Sequence, residues 1–291
     1  MLGLIGGTGL GEALLGEIRG EERVVETPFG FPSGPVRVVK WEGIELAILA
    51  RHGDGHVLPP SQVPYRANIY ALKSLGVTHV IASGAVGSLR DTIRPRDLVI
   101  VDQLIDKTHR RPATFFDMGL AVHVEMAQPY CRHLRELLLS AASKVDAVVH
   151  PQGTYVCMEG PAFGTAAESH MHRAWGADLI GMTALPEAKL AREAEMCYAL
   201  IALVTDFDCW KPHEPGVDKQ KLMEEIIGNL KTATANAITL MRAAIEAFAG
   251  QAPRRCECQE ALGLAIWSDR TKVTPEIIKT YGPLLSRYFK E

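Results

Sequence analysis

The 291-residue sequence has no marked excess of either charge and no long hydrophobic run. Its 31 lysines and arginines nearly balance 34 aspartates and glutamates, so a general attraction to nucleic acid or to an anionic membrane is not expected. Apolar runs are broken by glycine, proline or charge, and Met1 opens into a strand-like segment without a basic leader. We therefore expect a cytoplasmic protein with no nucleic-acid or membrane partner, in which any anion is held locally.

Cysteine is scarce as well, because six residues are too few for a disulfide scaffold in a chain of this length. Most of these cysteines are expected to be packing thiols, which behave as small hydrophobic side chains. Cys256 and Cys258 are the exception, since two thiols so close in the chain could form a redox pair. A zinc site would need a second pair, which the sequence does not show, so no metal site is expected.

No linker rich in serine, glycine or proline divides the chain, so we expect one domain. Apolar, β-branched runs alternate with helical patterns, and continuous apolar runs are typical of strands buried on both faces. This alternation predicts an α/β fold with a largely parallel or mixed sheet covered by helices. The predicted strands are 2–5, 44–49, 77–82, 98–101, 154–158, 179–182 and 199–205, and the predicted helices are 65–75, 129–144, 166–175, 186–195, 219–247 and 275–289.

The composition shifts after residue 250 toward proline, arginine and cysteine. A final short helix is predicted over 275–289, where the apolar pattern returns. We therefore expect residues 1–250 to form the main body and residues 251–291 to form a C-terminal extension packed on it.

Polar or glycine-rich tips follow six of the predicted strands. Ligands of open α/β sheets bind outside the carboxyl ends of strands, so these tips could build one site. The first tip, Gly6-Gly7-Thr8-Gly9, does not fit the spacing of a dinucleotide fingerprint, because Glu12 stands at the third glycine position. It fits either a nest of backbone amides for one phosphate or a plain tight turn.

Arg51 and His52 follow the second predicted strand and favour a phosphate site. A guanidinium presents a planar fork that matches phosphate oxygens, and Gly53 lets the chain turn toward a ligand. A surface salt bridge is the alternative for Arg51. His52 and His56 have the i, i+4 spacing of helical metal ligands, but the glycines between them argue against a helix.

Two aspartates, Asp206 and Asp208, stand at the end of the apolar run 198–204. Residues i and i+2 of an extended segment share a face, so both carboxylates can reach one ligand. Neighbouring like charges at a partly desolvated strand end should raise the pKa of one carboxyl, which leaves one proton donor and one acceptor. Such a pair suits the edge of an aminopurine. The alternatives are an aspartate that caps the next helix and a magnesium site.

Taken in order along residues 2–247, the motifs of this chain resemble the methylthioadenosine phosphorylase branch of the trimeric purine nucleoside phosphorylase family. The segments that carry the resemblance include IGGTGL, TPFG, GTYVCMEGPAF, GMTALPEAKLAREAEMCYA and VTDFDCW. The resemblance implies the type I nucleoside phosphorylase fold, in which helices flank one central mixed, partly barrel-like sheet. The implied reaction converts 5'-methylthioadenosine and phosphate to adenine and 5-methylthioribose 1-phosphate with no cofactor or metal. The implied assembly is a homotrimer or a dimer of trimers.

Carried over by position, the resemblance also implies roles for individual residues. Asp206 would protonate or hydrogen-bond purine N7, and Asp208 would bind the exocyclic amine. Phosphate would be held by Thr8, Arg51, His52, Ala85 and Thr183. Phe163, Met182 and Thr205 would contact the sugar and base. Val217, Leu222 and Met223 would line the methylthio pocket. His123 would reach the sugar bound in a neighbouring subunit.

Three positions depart from the family's pattern. Gly84 stands where a threonine or serine usually contacts phosphate, Gly164 stands where a serine usually reaches the base, and Ala162 replaces a larger polar residue. Relatives that use 6-oxopurines have asparagine at the position of Asp206, which favours an aminopurine here. The alternatives are a phosphorylase for a broader range of nucleosides, for 6-oxopurine nucleosides or for methylthioinosine, and a nucleoside sensor without turnover.

Overall fold

A computed structural model describes residues 1–17, 19–41, 43–212, 218–250 and 255–289. The described strands form a single sheet with helices on both faces. The strands are β1 Leu2–Gly6, β2 Glu21–Arg23, β3 Val36–Trp41, β4 Ile44–Ala50, β5 His79–Ser88, β6 Leu98–Ile100, β7 Gln103–Lys107, β8 Val149–His150, β9 Thr154–Met158, β10 Leu179–Gly181 and β11 Cys197–Phe207. The α-helices are α1 Leu10–Glu17, α2 Tyr65–Ser74, α3 Arg132–Ser140, α4 Ala166–Ala174, α5 Glu187–Glu193, α6 Lys219–Ala249 and α7 Pro275–Tyr281.

The sheet branches at β5. The first half of β5 pairs in parallel with β1, and its last residues, Gly87 and Ser88, pair antiparallel with β10. On its other edge β5 pairs in parallel with the whole of β11. The sheet continues from β1 through β4, β3 and β2, and from β10 through β9 and β7. Because β1, β4, β5 and β11 are parallel, their carboxyl ends meet at one edge of the sheet.

The predicted mixed α/β architecture is confirmed. All seven predicted strands are present, and both central strands run further toward the common edge than predicted, β5 to Ser88 and β11 to Phe207. The sequence patterns miss β2, β3, β7, β8 and α1, because these elements are short or mix charged residues and glycines with apolar ones. The predicted helix over 129–144 is confirmed only in part, since α3 ends at Ser140 and a 3-10 turn follows at Ala142–Lys144.

Apolar side chains fill a layer on each face of the sheet. Successive residues of a strand point to opposite faces, so Leu4 and Ile5 of β1 enter different layers. One layer packs against α2 and α5, and the other packs against α1, α3 and α6. Each fully buried leucine or isoleucine stabilises the fold by about 1.5–3 kcal/mol, so the strand ends rest on a rigid base. Among the described helices, none combines the length and apolarity needed to span a bilayer.

The residues after 254 pack on the main body and place Leu262 and Leu285 in its buried layer. The predicted final helix is shorter than expected, because Gly282, with φ 45°, ends it after Tyr281. The extension also corrects the expectation for the cysteines. The second pair that the sequence does not show is supplied by the fold, which brings Cys131 and Cys197 to the two cysteines of the extension.

Candidate functional site

The carboxyl ends of β1, β4, β5 and β11 open into a cavity of about 540 Å³. Cavities of this size suit a small organic ligand. Strand ends form its floor, and α6 and the loops after β9 and β10 form its walls. The predicted site residues that line it are Thr8, Arg51, His52, Ala85, Phe163, Met182, Thr183, Thr205, Asp206, Asp208 and Met223.

Two of the predicted site residues that the structure describes do not line this cavity. His123 is exposed beside Trp267, with 4.7 Å between the ring centroids, and does not line the cavity of its own chain. Leu222 does not line it either, because Leu222 lies about 100° around α6 from Met223, which does. Sequence reasoning missed Ile226 and Leu230, which extend this wall along α6. The predicted contact from residue 217 lies outside the described residues.

The turn after β1 approaches its neighbours so closely that only glycine fits. A Cβ on Gly6 would lie 2.2 Å from the Cα of Gly11, and a Cβ on Gly7 would lie 2.6 Å from the carbonyl oxygen of Ser83. The N–H of Gly7 donates to Oγ of Ser83 over 3.3 Å, so this amide is already used. Thr8 follows at the cavity, just before α1, where helix N–H groups favour an anion.

Arg51 is fully buried, and its guanidinium is clamped from two sides. Nε and Nη2 donate to the two carboxylate oxygens of Glu187 over 2.7 Å each, and Nη1 donates to the carbonyl oxygen of Ser83 over 2.7 Å. The surface salt bridge considered for Arg51 is therefore wrong, since both partners of this pair are buried. Burial alone would lower the pKa of Arg51, but the charge and hydrogen bonds of Glu187 outweigh it and raise that pKa. Three of the five N–H groups are thus used by Glu187 and Ser83, and Arg51 borders the cavity with its plane fixed.

Sequence reasoning missed Glu187, the first residue of α5. It is fully buried, and the hydroxyl of Tyr198 also donates to it over 2.7 Å. A carboxylate among the apolar residues of the stretch PEAKLARE was the only available signal. Glu187 therefore pairs with the protonated guanidinium of Arg51 and fixes its plane beneath the cavity.

His52 is a neutral side chain at the floor. Its Nδ1 lies 2.8 Å from the carbonyl oxygen of Leu58, and its ring stacks on His56 with centroids 4.1 Å apart. Burial, aided by the charge of Arg51, lowers the pKa of His52 to about 4. A carbonyl oxygen only accepts, so we assign the proton to Nδ1, which leaves Nε2 with a lone pair. Nε2 can therefore accept a hydrogen bond from the hydroxyl of hydrogen phosphate.

Gly84 leaves part of the floor open. A Cβ on Gly84 would meet only Oγ1 of Thr183, at 3.3 Å. Ser83, whose hydroxyl could have replaced the missing one, is buried against the N–H of Gly7 and does not line the cavity. The floor therefore has a threonine hydroxyl from Thr183 at this point and none from β5.

Asp206 and Asp208 both line the cavity at the end of β11. The pairing of β11 with β5 is irregular between Val204 and Asp206, and such a bulge redirects the side chains that follow it. For this reason Phe207, which simple alternation would turn away, also lines the cavity. The helix-capping alternative is wrong, because Asp218 caps α6 and its carboxylate accepts from the N–H of Gln220.

Each of the two carboxylates accepts a hydrogen bond from a hydroxyl group. Oγ1 of Thr205 donates to Oδ1 of Asp206 over 2.5 Å, and Oγ of Ser169 donates to Oδ2 of Asp208. Carboxylate oxygens can accept several hydrogen bonds each, so the pair retains capacity for a ligand. The two aspartates are thus oriented before any ligand binds.

Asn229 of α6 holds the bulge from behind, and sequence reasoning missed it. Its Nδ2 donates to the carbonyl oxygen of Thr205 over 2.9 Å, and its Oδ1 accepts from Nε of Arg96 over 2.7 Å. An asparagine that is 3% exposed inside a helix needs such partners, because a buried unsatisfied amide costs about 1–3 kcal/mol. Asn229 is therefore a positioning residue for Asp206.

Arg111 fixes the wall formed by the loops after β9 and β10. Its Nη1 donates to the carbonyl oxygens of Met182 and Leu185 over 2.6 Å each, and its Nη2 donates to that of Glu159 over 2.5 Å. Burial would raise the pKa of Glu159, but hydrogen bonds from a serine hydroxyl and two backbone N–H groups lower it to about 2. The wall is therefore held by buried ionic and polar contacts rather than by apolar packing alone.

The chain is similar in sequence to known proteins over nearly its whole length. Residues 1–246 match the family model described as Phosphorylase superfamily. The S-methyl-5'-thioadenosine phosphorylase of Gloeobacter violaceus is 44% identical over 99% of this chain and 95% of its own length. The enzyme of the same name from Geobacter sulfurreducens is 45% identical over 99% of both proteins.

Solved structures give the same picture. A methylthioadenosine phosphorylase from an antarctic soil metagenomic library is similar with a TM-score of 0.88 and 44% identity, and the match covers 98% of each chain. The methylthioadenosine phosphorylase of Schistosoma mansoni, solved in complex with adenine, is similar with a TM-score of 0.83 and 34% identity. That match covers 91% of this chain and 98% of the other.

Proposed function

Because the chain belongs to the phosphorylase superfamily, we propose that it catalyses phosphorolysis of 5'-methylthioadenosine to adenine and 5-methylthioribose 1-phosphate. The observation that carries this proposal is the pair Asp206 and Asp208 in one cavity with the glycine-lined floor of Arg51 and His52. Phosphate is the co-substrate, and the reaction requires no other cofactor. The products would return purine and methionine precursors to cytoplasmic metabolism.

Phosphate would bind on the floor, beneath C1' of the sugar. Cleavage of the glycosidic bond develops positive charge on the sugar, which a fixed anion stabilises before its oxygen forms the new bond to C1'. Thr8, Thr183 and the backbone at Ala85 would hold the anion, with the positive charge of Arg51 below it. Nε2 of neutral His52 would accept a hydrogen bond from the hydroxyl group of hydrogen phosphate.

The base would lie against the aspartate pair. The bond electrons leave with the purine, and Asp206 would deliver a proton to N7, an effect that typically contributes about 10²–10⁴ in rate. Asp208 would accept a hydrogen bond from the exocyclic amine. A 6-oxopurine would place a carbonyl oxygen against this acceptor, and an unpaired buried polar group costs about 1–3 kcal/mol. The pair therefore favours 6-aminopurines.

The sugar and its 5' substituent would lie against the less polar walls. Phe163 and Met182, which both line the cavity, would contact the sugar. Met223, Ile226 and Leu230 share one face of α6 and give an apolar surface for a methylthio group. This wall would select against a charged 5' substituent.

The active assembly would be a homotrimer or a dimer of trimers, in which a neighbour completes each site. Phe163 is 88% exposed where it lines the cavity, and His123 is exposed and does not line the cavity of its own chain, which supports this arrangement. We expect Asp206→Asn and His123→Ala each to lower turnover, and their co-expression should restore part of the lost activity, because some mixed sites contain both native residues. A light-scattering mass of one chain, or no recovery in verified mixed oligomers, would reject the shared site.

The reaction itself is tested by incubating the purified protein with 5'-methylthioadenosine, with and without phosphate. We expect adenine and 5-methylthioribose 1-phosphate in equal amounts, and only when phosphate is present. Adenine release without phosphate would indicate a hydrolase. Nucleoside binding by calorimetry without product at high enzyme concentration would indicate a sensor. Specificity constants for 5'-methylthioadenosine, methylthioinosine, adenosine and inosine would rank the substrates.

A further inference from the structure

Four cysteines from three parts of the chain place their sulfur atoms within 4.8 Å of one another. Cys131 directly precedes α3, Cys197 is the first residue of β11, and Cys256 and Cys258 belong to the C-terminal extension. Cys131, Cys197 and Cys258 are 1%, 0% and 6% exposed, so the cluster lies at the buried junction of the extension and the main body.

We propose that Cys131, Cys197, Cys256 and Cys258 bind one structural zinc ion. Tetrahedral zinc binds thiolates at about 2.3 Å, which places the sulfurs about 3.8 Å apart. The sulfurs of Cys131 and Cys256 are 3.6 Å apart, and the largest separation in the cluster is no more than 4.8 Å. A shift of a few tenths of an ångström toward a common centre, on the order expected for binding, completes the tetrahedron.

Disulfide bonds explain the same arrangement less well. A disulfide needs two sulfurs at about 2.05 Å, and two disulfides need two close pairs rather than four mutually close atoms. In this cluster all four sulfurs lie near one point. The geometry is therefore that of a single centre with four ligands.

The surroundings can stabilise the negative charge of four thiolates around one divalent ion. Cys131 stands at the N-terminus of α3, where the helix dipole favours a thiolate. The backbone N–H of Gln259 donates to the carbonyl oxygen of Cys256 over 2.9 Å, which fixes the turn that carries the two cysteines of the extension.

The ion would tie the extension to β11 and, through the extension, to the loop that carries His123. The N–H of His123 donates to the carbonyl oxygen of Ala265 over 2.9 Å, and the N–H of Trp267 donates to that of Ala121 over 3.0 Å. Loss of the ion should therefore loosen this loop and lower the unfolding temperature. The zinc site itself does not depend on the proposed catalytic function.

Metal content of the full-length protein tests the site. Protein purified under reducing conditions from zinc-supplemented medium should contain about one zinc per chain by plasma mass spectrometry. Replacement by cobalt should give the intense visible absorption of a tetrahedral thiolate complex. Cys131→Ser and Cys197→Ser should each lose the metal, whereas Cys209→Ser, at an exposed thiol outside the cluster, should keep it.

Titration of free thiols in the denatured, unsubstituted protein distinguishes a zinc site from disulfides and from packing thiols. This measurement does not require any variant to fold. We expect all six cysteines to titrate once a chelator has removed the zinc. About two thiols per chain with no bound metal would show two disulfides and overturn the proposal. Six thiols with no zinc after equilibration with zinc would show four packing thiols and also overturn it.

Discussion

The floor of the cavity consists of the strand ends, and its rim is the exposed part of the walls that carries Phe163 and Met223. The two regions are held in different ways. On the floor, Arg51 and Glu187 are fully buried and paired, and Gly7 touches neighbouring backbone. On the rim, Phe163 is 88% exposed and Met223 is 57% exposed. Exposed apolar side chains beside a cavity mark a surface that a ligand or another protein covers. The floor is thus fixed by contacts within the chain, whereas the rim exposes apolar side chains.

This difference separates the chemistry from the selection of the 5' substituent. The groups proposed for phosphate and for the base stand on strand ends that are held by buried hydrogen bonds, and reacting groups need such fixed geometry. The side chains proposed to contact the methylthio substituent stand on the first half of α6. A change of their size or position there should cost less free energy than a change on the floor. We therefore expect floor substitutions to reduce stability and turnover, and rim substitutions to change substrate affinity.

The largest effect is expected from Glu187→Gln, which leaves the buried charge of Arg51 unpaired. Removing one partner of a buried ion pair costs about 3–5 kcal/mol, and the floor should lose its shape with it. The free energy of unfolding in urea measures this loss. Glu246→Gln, at an exposed site on α6, is the matched control and should change stability by less than about 0.5 kcal/mol. If Glu187→Gln and Glu246→Gln had equal free energies of unfolding, the ion pair would not hold the floor.

Asp206→Asn tests the chemistry that stands on this floor. The amide cannot deliver a proton to the leaving base, so kcat for 5'-methylthioadenosine should fall by at least about tenfold. The fold should be unaffected, because the amide can still accept from the hydroxyl of Thr205. Asp146→Asn, at an exposed position outside the cavity, should leave kcat unchanged. An unchanged rate in Asp206→Asn would remove its proposed role.

The strands that lead to the floor could be predicted from sequence because they are apolar runs, although β5 and β11 end beyond their predicted ends. The sheet type followed from the same runs, and the strands that were missed lie away from the floor or carry mixed residues. The partners that orient the floor could not be predicted. Arg51 and Glu187 are 136 positions apart, and Asn229 meets Thr205 only because α6 packs on β11.

The bulge in β11 could not be predicted from the sequence pattern either. Alternation placed Asp206 and Asp208 on one face, and it placed Phe207 on the other. Whether a strand takes up an extra residue depends on its pairing with β5, which a local pattern does not report. The cysteine cluster is missing from the sequence pattern for the same reason, since its members are brought together only by the fold.

Acid should weaken the floor before it weakens the rim. The pKa of His52 is about 4 in the folded chain and about 6.5 in an unfolded one, so the unfolded state binds an extra proton between these values. Stability should therefore fall as pH falls from 6.5 to 4. Because His52 lines an open cavity in which water can solvate the charged ring, we expect a loss on the order of 1 kcal/mol rather than the full shift.

His52→Asn isolates this contribution. The amide can still donate to the carbonyl oxygen of Leu58 but does not titrate, so urea midpoints of the variant should depend less on pH between 6.5 and 4. His79, whose pKa is also lowered to about 4 by burial, acts with the same sign in both proteins. Glu193, whose pKa is raised to about 7 by burial, acts with the opposite sign in both. Parallel curves for the two proteins would show that His52 is not the group that titrates.

Phe163→Ala should have the smallest effect and should act on the rim alone. An exposed phenylalanine contributes little to the free energy of folding, so unfolding in urea should be unchanged within about 0.5 kcal/mol. Its ring would lose exposed apolar surface when the nucleoside binds, so the KM for 5'-methylthioadenosine should rise about three- to fivefold with kcat nearly unchanged. Phe31→Ala, at a ring that is 58% exposed and outside the cavity, is the matched control and should leave KM as it is. A fall in kcat with an unchanged KM would place Phe163 with the floor and remove the distinction between the two regions.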